Sequence, residues 1–566
     1  MAVARPARFD AFRALSERRG RAGERLVERL VHAREGRADG PGSWAPGVAA
    51  GLGLPAAAAL GPAAYYADLV SPHGRRHVRI CAATACFAAQ AGRHVTQVER
   101  EVGVDAGTAS PDGATSLQAV RCLGYCYAGP AALDGAIPCT GPALAEQLAG
   151  REPPSAPQIP AADDTGAPVL LAGVVAGEPA WQVWPEIVTA GDPDRVRREV
   201  AASGLRGRGG AGFQVAAKWE AAGRAPGTVV VANGDEGDPG SYADRLLMEA
   251  DPRRVLEGLA LACFACGARR AVVLVRSEYP TALARMREAA GEARAEGHFG
   301  TSVHGTGTAL TVEVVEGAGS YVAGEETALI ASLEGDRGCA RPRPPYPTAR
   351  GLWDAPTVVN NVETLAAVPW IVARGGDAYA RRGTPEETGT KLVCLSERFA
   401  RPGVYEVELG TSLQRVVTEL GGGLKDGSEL TALQVGGPLG GFLAPGALDV
   451  PLTTAGLAAR GAALGHAGLV AIDQHVTPRD VLRHVWEFSE AESCGACSPC
   501  RVGSRRGREL ANADADADAG TGPGDEWKRL AHVLAEASLC AFGRRIPPAV
   551  HSLAHVYGDR LAGWEP

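Results

Sequence analysis

The stretch TVVVANGDEGDPGSYADR (residues 228–245) joins a run of β-branched residues to a glycine-rich acidic turn and then to a segment with helical spacing. The apolar run predicts a buried strand, and similar runs at 271–276 and 310–316 alternate with helical stretches up to about residue 385. This alternation predicts an α/β domain over residues 168–385. Asp235, Glu236 and Asp238 then lie at the carboxyl end of a strand, which is where ligands bind in open α/β sheets.

Three further segments of this domain carry polar or flexible residues. The loop LRGRGGAGF (205–213) contains Gly207, Gly209, Gly210 and Gly212, which leave a bare backbone that a flat ring or a phosphate can approach. Its G-x-G-x-x-G order is a weak dinucleotide signal, because the loop follows a helical segment and not a strand. The segments 321–335 and 357–365 add the pairs Glu325–Glu326 and Asn360–Asn361. Clustered acids act as metal or ribose ligands, or as helix caps and solvated charge, and both interpretations stay open at this point.

Near the C-terminus, ESCGACSPC (492–500) places Cys494, Cys497 and Cys500 in a C-x2-C-x2-C pattern typical of 4Fe-4S loops. A tetrahedral thiolate site needs a fourth ligand. Cys540 is the only cysteine downstream, and a helical hairpin would return it to the loop. Zinc bound by the same sulfurs, or with His532 or His551, is the alternative, although zinc sites usually pair two C-x2-C knuckles.

The N-terminal part carries two cysteine pairs, Cys81 with Cys86 and Cys122 with Cys126. Two pairs facing one pocket suit a 2Fe-2S cluster with one iron per pair, and four buried structural thiols are the alternative. Cys263 and Cys266 share one face of an apolar helix, which favours core packing. The remaining cysteines, Cys139, Cys339 and Cys394, are given no role.

Composition limits the partners and the location. The 566 residues carry a formal net charge of −8, which does not suggest a nucleic-acid surface. The uncharged stretch 43–67 is interrupted by prolines, so we expect no direct membrane span. The arginine-rich N-terminus also carries acidic residues and no apolar core, so a cytoplasmic location is the default, and the 13 cysteines are expected to be reduced.

Changes in composition along the chain predict its domains. We expect an N-terminal arm over 1–75, a cysteine-bearing domain over 76–150 and a proline-rich linker over 151–167. After the α/β domain, a small α+β domain is expected over 386–460 and a helical domain over 461–566. Within the last, the Ala/Asp-rich run 511–526 is expected to be a solvated loop.

Together, GRGGAGF, NGDEGDPGS, YVAGEETAL, VVNNVET, ESCGACSPCR and SLC closely resemble the NADH-oxidising flavoprotein subunit of respiratory complex I and its soluble relatives. The resemblance covers most of residues 170–566. The first half is similar to the small 2Fe-2S subunit of the same module, at AYYADLV, CAATAC and RCLGYC. It implies a multidomain α/β protein: a helical arm with a thioredoxin-like 2Fe-2S domain, a Rossmann-like FMN- and NADH-binding domain, a ubiquitin-like SLBB-type α+β domain, and a helical bundle with a 4Fe-4S cluster.

The resemblance also implies the residues that bind FMN, NAD(H) and the two clusters, and no side chain in a catalytic acid–base role, because FMN carries the hydride transfer. The implied cofactor-binding residues are Gly207, Gly209, Gly210, Gly212, Phe213, Lys218, Asn233, Asp235, Glu236, Asp238, Tyr321, Gly324, Glu325, Glu326, Asn360, Asn361 and Thr364. Among these, Phe213, Glu236 and Asp238 are implied to face NADH. The implied cluster ligands are Cys81, Cys86, Cys122 and Cys126 for 2Fe-2S, and Cys494, Cys497, Cys500 and Cys540 for 4Fe-4S.

Departures from the respiratory pattern favour the soluble enzymes of the group. Asp238 stands where the respiratory subunits carry glutamate, and Arg343 and Tyr346 stand where lysine and phenylalanine are more usual. We therefore expect the diaphorase (β) subunit of an NAD-dependent formate dehydrogenase, with a molybdenum or tungsten α subunit that holds further iron–sulfur clusters as partner. An NAD-reducing hydrogenase and a respiratory NADH dehydrogenase are the alternatives, and a non-catalytic iron–sulfur scaffold is an alternative of another class.

Overall fold

The computed structural model describes residues 25–223, 225, 227–516 and 523–566, so the first 24 residues of the predicted arm lie outside the described part. The described arm consists of short helices: α1 Leu26–Arg34, α2 Pro41–Gly51, α3 Ala56–Ala63 and α4 Ala67–Val70. They enclose a small apolar core that includes Leu30, Trp44, Tyr66 and Leu69. In the described ranges, no helix is both long enough and apolar enough to cross a membrane.

The next domain is a five-stranded sheet flanked by helices. Its elements are β1 Arg76–Cys81, α5 Thr84–Gln90, α6 Arg93–Val102, β2 Thr108–Ala109, β3 Thr115–Val120, β4 Ala131–Asp134, β5 Ile137–Thr140 and α7 Leu144–Leu148. The strand order is β2-β3-β1-β4-β5, with β1 parallel to β3 and antiparallel to β4. Because β1 and β3 are parallel, their carboxyl ends bring Cys81 and Cys122 to the same edge.

The central domain is built on four parallel strands. Its elements are α8 Ala172–Ala176, α9 Trp184–Ala190, α10 Pro193–Ser203, α11 Val215–Ala222, β7 Val229–Gly234, α12 Ala243–Ala250, α13 Pro252–Cys266, β8 Arg270–Val275, α14 Pro280–Ala295, β9 Thr311–Glu316, α15 Glu326–Leu333, β10 Thr357–Asn361, α16 Val362–Arg374 and α17 Gly376–Ala380. The order is β10-β7-β8-β9. Val230 packs in one core and Val229 and Val231 in another, so both faces of β7 are covered. This explains why the strand is a continuous apolar run and not an alternating one.

A small α+β domain follows, and its sheet extends beyond the predicted boundaries. Its elements are β11 Thr390–Leu395, β12 Gly403–Glu408, α18 Leu413–Arg415, β13 Leu430–Val435, β14 Phe442–Leu443, α19 Thr454–Ala458 and β15 Gly468–Asp473. The strand order is β14-β13-β15-β11-β12-β6, where β6 is Ala161–Asp163. The expected linker 151–167 therefore contains an edge strand, and β15 lies beyond residue 460, in the range for which the sequence pattern predicts a helical domain.

The C-terminal part is helical: α20 Pro478–Ala491, α21 Ser498–Asp516, α22 Asp525–Ala537 and α23 Ala541–Tyr557. Trp486, Trp527 and Trp564 pack together in its core. Helix α21 runs through residues 511–516, so the loop prediction is wrong for this part of the Ala/Asp-rich run, because alanine favours continuation of the helix. Residues 517–522 of the run lie outside the described residues.

Candidate cofactor crevice between two cysteine clusters

We use the word crevice for the region at the carboxyl ends of β7 and β10, between the glycine loop 205–213, the acidic turn 234–245 and the turn Tyr321–Gly324. The two strands are parallel neighbours, and their register places Asn233 beside Asn361. From β7 the chain adds β8 and β9 on one side, and β10 returns to the other side of β7. This is a topological switch point, the position at which open α/β sheets bind ligands.

Asparagine side chains brace the segments around the crevice. Asn233 donates from Nδ2 to the Gly324 carbonyl at 2.8 Å, and Asn360 accepts from Trp219 Nε1 at 2.9 Å. Asn361 caps α16 by accepting from the Thr364 amide at 3.1 Å. The two strand ends are thereby tied to the segment after β9 and to the helix that follows the glycine loop.

The glycine loop folds over the end of β10. It is closed by a bridge between Arg206 and Gln214, and the Gly207 amide donates to the Phe213 carbonyl at 2.8 Å. A Cβ on Gly209 would lie 2.9 Å from the Cβ of Asn361, so only glycine allows this approach. The Arg208 amide donates to Thr364 Oγ1 at 2.8 Å. The predicted bare backbone is therefore present and is held against the strand end, although the loop follows a helix.

Glu236 lies inside the acidic turn. Its carboxylate accepts from Ser241 Oγ, from the amides of Asp244 and Arg245 at the start of α12, and from Tyr279 Oη. The residue is 1% exposed. Four donors fill the two oxygens, so the geometry offers no free acceptor to a ribose and does not support the prediction that Glu236 faces NADH.

Asp238 forms a buried pair with a histidine from the small domain. His466 Nδ1 donates to Asp238 Oδ2 at 2.6 Å, and Tyr321 Oη donates to Oδ1. Burial opposes protonation of His466, but the hydrogen bond and charge of Asp238 outweigh it and raise the pKa of His466 to about 9. At neutral pH the pair is therefore an imidazolium and a carboxylate.

Asp235, by contrast, is held in an environment that disfavours its charge. Burial raises the pKa of Asp235 to about 7, although Arg276 lies 3.9 Å away and opposes the rise. A Cβ on Gly324 would lie 2.9 Å from the Asp235 carbonyl, which fixes a close approach of the two segments. Asp235 therefore lies between the strand end and the turn that carries Tyr321.

The mouth of the crevice is lined by charged and aromatic side chains. Lys218 and Arg343 both pair with Glu326, at 3.1 and 2.7 Å, and Arg343 also reaches Glu325 at 3.3 Å. Glu325 caps α15 by accepting from the amides of Thr327 and Ala328. Phe213, whose ring centroid lies 6.0 Å from Lys218 Nζ, is 56% exposed, and Tyr346, three residues after Arg343 in the chain, is 58% exposed. Exposed rings on a buried scaffold offer flat surfaces for an aromatic ligand.

The four N-terminal cysteines converge near the carboxyl ends of β1 and β3. Cys122 Sγ and Cys126 Sγ are 3.4 Å apart, and Cys81 is hydrogen-bonded to both Cys86 and Cys122. All four are at most 1% exposed. The hydrogen bond with Cys122, together with burial, raises the pKa of the Cys126 thiol. Four mutually contacting sulfurs in two pairs fit a 2Fe-2S cluster.

The C-terminal cysteines also lie together. Cys540 is the N-cap of α23, and a Cβ on Gly543 in the first turn of that helix would lie 3.0 Å from the Cβ of Cys500. Cys497 Sγ accepts from the Leu539 amide at 3.5 Å. The Cys339 thiol, assisted by backbone amides, lowers the pKa of Cys494 to about 6, which favours the thiolate, the form that binds metals. The helical return of Cys540 to the loop is thus present, and the sulfur set fits a 4Fe-4S cluster.

Both cysteine clusters contact the crevice. The Gly240 amide of the acidic turn is hydrogen-bonded to the Cys126 sulfur, and Arg245 Nη1 donates to the Gly124 carbonyl at 2.9 Å. On the other side, the Tyr321 ring packs on Phe542, two residues after Cys540, with centroids 5.6 Å apart. A few side chains therefore separate each set of sulfurs from the strand ends.

Sequence reasoning missed three residues of this site. His466 lies just before β15, Arg208 is a residue of the glycine loop, and Cys339 has no other cysteine close to it in the sequence. None of the three carries a local sequence signal of its contact. The partners of all three come from distant segments.

The crevice lies at a sheet edge, is covered by a glycine loop, and is flanked by two cysteine clusters. One cluster consists of two cysteine pairs, and the other of three cysteines in one loop plus a fourth from a later helix. This arrangement defines an iron–sulfur flavoprotein. Family models agree: the Nuo51 FMN-binding domain matches residues 200–370, the thioredoxin-like [2Fe-2S] ferredoxin matches 14–136, and the NADH-ubiquinone oxidoreductase-F iron–sulfur binding region matches 480–562.

Similar proteins include the NADP-reducing hydrogenase subunit HndC of Solidesulfovibrio fructosivorans, 39% identical over 65% of this chain and 75% of that protein. The F subunit of the NADH-quinone oxidoreductase of Escherichia coli (strain K12) is 40% identical over 56% of this chain and 72% of that protein. A solved NAD+-reducing [NiFe]-hydrogenase chain in the H2-reduced state is 31% identical, with a TM-score of 0.84 over 96% of this chain and 93% of that one.

The chain belongs to the family of complex I 51 kDa-like FMN- and NADH-binding flavoprotein subunits, with a thioredoxin-like 2Fe-2S region and a 4Fe-4S region in the same polypeptide. Its cofactors are FMN, one 2Fe-2S and one 4Fe-4S cluster, and it is an oxidoreductase that acts on NAD(H). The predicted fold class and cofactors are thereby confirmed.

Proposed function

We propose that this chain is the diaphorase subunit of a soluble multi-subunit oxidoreductase, which exchanges hydride with NAD(H) and single electrons with a partner subunit. The observation that supports this most directly is that one crevice contacts both cysteine clusters, through Gly240 on one side and Tyr321 on the other. When bound, FMN supplies the conversion between hydride and single-electron transfer. The chain supplies orientation and electrostatics.

In this proposal the crevice residues bind FMN by backbone and amide contacts. The glycines of the loop admit the ring, Asn233, Asn360 and Asn361 hold the strand ends in place, and Lys218, which donates to the Val359 carbonyl of β10, provides a positive charge beside them. Asp235, Tyr321, Gly324, Glu325 and Thr364 complete the wall. The eight cysteines named above as cluster ligands hold the two clusters.

NADH is proposed to enter at the mouth, where the Phe213 ring is exposed. Lys218 and Arg343 are engaged by Glu326 and Glu325, so neither cation is free to bind the 2′-phosphate of NADP, and we propose NAD as the preferred coenzyme. Stopped-flow reduction of the flavin by NADH and NADPH tests this preference. Equal rates at equal concentrations would refute it.

The substrate-oxidising centre is proposed to lie on another subunit, because no motif typical of a molybdopterin or nickel–iron site was found in the sequence. We propose a formate dehydrogenase α subunit as partner. This proposal rests on Asp238, which stands where the respiratory subunits carry glutamate, and on the fusion of the 2Fe-2S part to the flavoprotein part. A hydrogenase is the second candidate, favoured by the overlay of 96% of this chain on a solved NAD+-reducing [NiFe]-hydrogenase chain. The purified native complex distinguishes them, according to whether formate or H2 reduces NAD+.

The proposed function is tested by purifying the full chain without oxygen and measuring FMN, iron, labile sulfide and NADH:ferricyanide activity together. We expect one flavin, two clusters and diaphorase activity. Cys540→Ser should remove the 4Fe-4S signal, whereas Cys263→Ala, which removes a buried thiol on α13, should leave it in place. Clusters without flavin or activity would indicate the non-catalytic scaffold, and zinc without labile sulfide would exclude both.

A further inference from the structure

A fifth cysteine lies against the C-terminal set of thiols. Cys339 follows α15, and its Sγ donates to the carbonyl oxygen of Cys494 at 3.3 Å. The Cys339 thiol also lies beside the Cys494 sulfur and lowers the pKa of that thiol, and the amide of Ala340 donates to the same sulfur. The segment 339–340 therefore brings two hydrogen-bond donors to one proposed cluster ligand, from a domain that contributes none of the four ligands.

The N-terminal arm holds this segment in place. Tyr65 Oη donates to the Gly338 carbonyl at 2.8 Å, and Tyr66 Oη donates to the Asp336 carbonyl at 2.7 Å. Arg337 Nε donates in turn to the Gly61 carbonyl at 2.9 Å. A Cβ on Gly338 would lie 3.2 Å from the Ala323 side chain and 3.4 Å from Tyr66 Oη, so the segment is tightly enclosed. Helix α3 and the turn after it thus fix the position of the Cys339 thiol.

We propose that Cys339 is a positioning residue whose S–H, held at the Cys494 carbonyl, turns to the adjacent Cys494 sulfur when that sulfur is a cluster thiolate, and thereby raises the reduction potential of the 4Fe-4S cluster. This inference rests on the proposed cluster ligation by Cys494, Cys497, Cys500 and Cys540. Reduction adds negative charge to the cluster and its sulfurs, and a hydrogen-bond donor stabilises that charge more in the reduced state than in the oxidised state. Four thiolates already complete the cluster, so a fifth thiol serves as a donor and not as a ligand.

The arrangement gives the N-terminal arm a role in electron transfer. Through Tyr65, the arm that precedes the 2Fe-2S domain sets the geometry of a donor to the 4Fe-4S cluster. A change at Tyr65 should therefore act on the cluster only through Cys339. This dependence is measurable as non-additivity of the two substitutions.

The test is an EPR-monitored redox titration of the full chain purified without oxygen, with iron and labile sulfide counted in each sample. In Cys339→Ala we expect full cluster content and a more negative midpoint potential, with a reduction equilibrium about threefold to tenfold less favourable, the range that one ordinary hydrogen bond supplies. Cys339→Ser keeps a donor and should stay closer to the wild type. Cys263→Ala is the matched control and should not shift.

Tyr65→Phe provides a second route that leaves Cys339 intact. It should shift the potential in the same direction, and it should add nothing in the Cys339→Ala background. An unchanged potential in Cys339→Ala at full cluster content would overturn the inference, as would loss of the cluster in both Cys339 variants, which would make Cys339 a ligand. A wild-type chain without any 4Fe-4S signal would instead refute the proposed function.

Discussion

His466 and Asp238 form a buried ion pair at the crevice, and the pair raises the pKa of His466 to about 9. Replacement of His466 by glutamine keeps a donor near Asp238 but removes the positive charge. A rise of the pKa of His466 from 6.5 to about 9 corresponds to about 3 kcal/mol of preference for the imidazolium in the folded state, or a factor of more than about one hundred in the local unfolding equilibrium. The side chain is only 17% exposed, so little of this preference is lost to solvent screening.

The sign of the pH dependence follows from proton binding. The folded chain keeps a proton on His466 up to about pH 9, whereas the unfolded chain releases it near pH 6.5. The stability contributed by the pair is therefore fully present below pH 6.5, decreases as the pH rises, and is lost above pH 9. Acidic side chains around the pair, Asp244 and Glu236, act in the same direction by raising the pKa of His466 further.

The assay is urea-induced release of FMN from the intact chain, followed by flavin fluorescence between about pH 6 and about pH 9.5. The difference in unfolding free energy between the wild type and His466→Gln should shrink by about 3 kcal/mol over this range. His475→Gln, which changes an exposed histidine of the same region, should show no such trend. A difference that stays constant with pH would refute the reasoning, because it would mean that the pKa of His466 is the same in the folded and the unfolded chain.

Three further predictions concern the loop, the cluster and the small domain. Gly209→Ala should reduce FMN content at least about tenfold, because the new Cβ would lie 2.9 Å from Asn361. Gly291→Ala is the control and should leave FMN content unchanged, because a Cβ at that position meets no atom within 4 Å. Equal FMN content in the two variants would contradict this prediction. Cys540→Ser should lower iron by about four atoms per chain and leave the 2Fe-2S spectrum intact, and unchanged iron would exclude Cys540 as a ligand. Glu406→Gln should destabilise the chain by about 2–4 kcal/mol in urea-induced unfolding, because the Glu406 carboxylate accepts from the amides of residues 169–171. Glu419→Gln, which changes an exposed carboxylate, is the control and should change stability by less than about 0.5 kcal/mol. A Glu406→Gln midpoint equal to that of the control would show that those amides find other acceptors.

The sequence pattern predicts where a side chain lies when its position follows from the helix or strand that carries it. Parallel strands that end in Asn233 and Asn361 must meet at one sheet edge, and a C-x2-C-x2-C loop followed by a helical hairpin must bring a later cysteine back. Both arrangements are present in the structure. Such features follow from periodicity and spacing, which are local properties of the chain.

Contacts that depend on domain docking could not be predicted in this way. Nothing local indicates that His466 meets Asp238 across 228 residues, or that Cys339 meets Cys494 across 155. The edge strand Ala161–Asp163 is three residues long and lies in a proline-rich segment, so it has no alternation to detect. The contacts of Glu236 could not be predicted for a related reason: an acid in a glycine-rich turn has the same sequence context whether it faces the ligand or caps the next helix.

Tyr321 shows why the crevice and the C-terminal cysteines should behave as one unit. Its hydroxyl donates to Asp238 in the acidic turn, its amide donates to Glu492 Oε2 at 3.0 Å, and its ring packs against Phe488 and Phe542. Glu492 lies two residues before Cys494, and Phe542 lies two residues after Cys540, so one side chain touches the turn and both segments that carry the proposed 4Fe-4S ligands. A shift of the cluster loop would therefore displace Tyr321, and with it the partner of Asp238. Tyr321 therefore ties the acidic turn of the crevice to the loop and the helix that carry the proposed 4Fe-4S ligands.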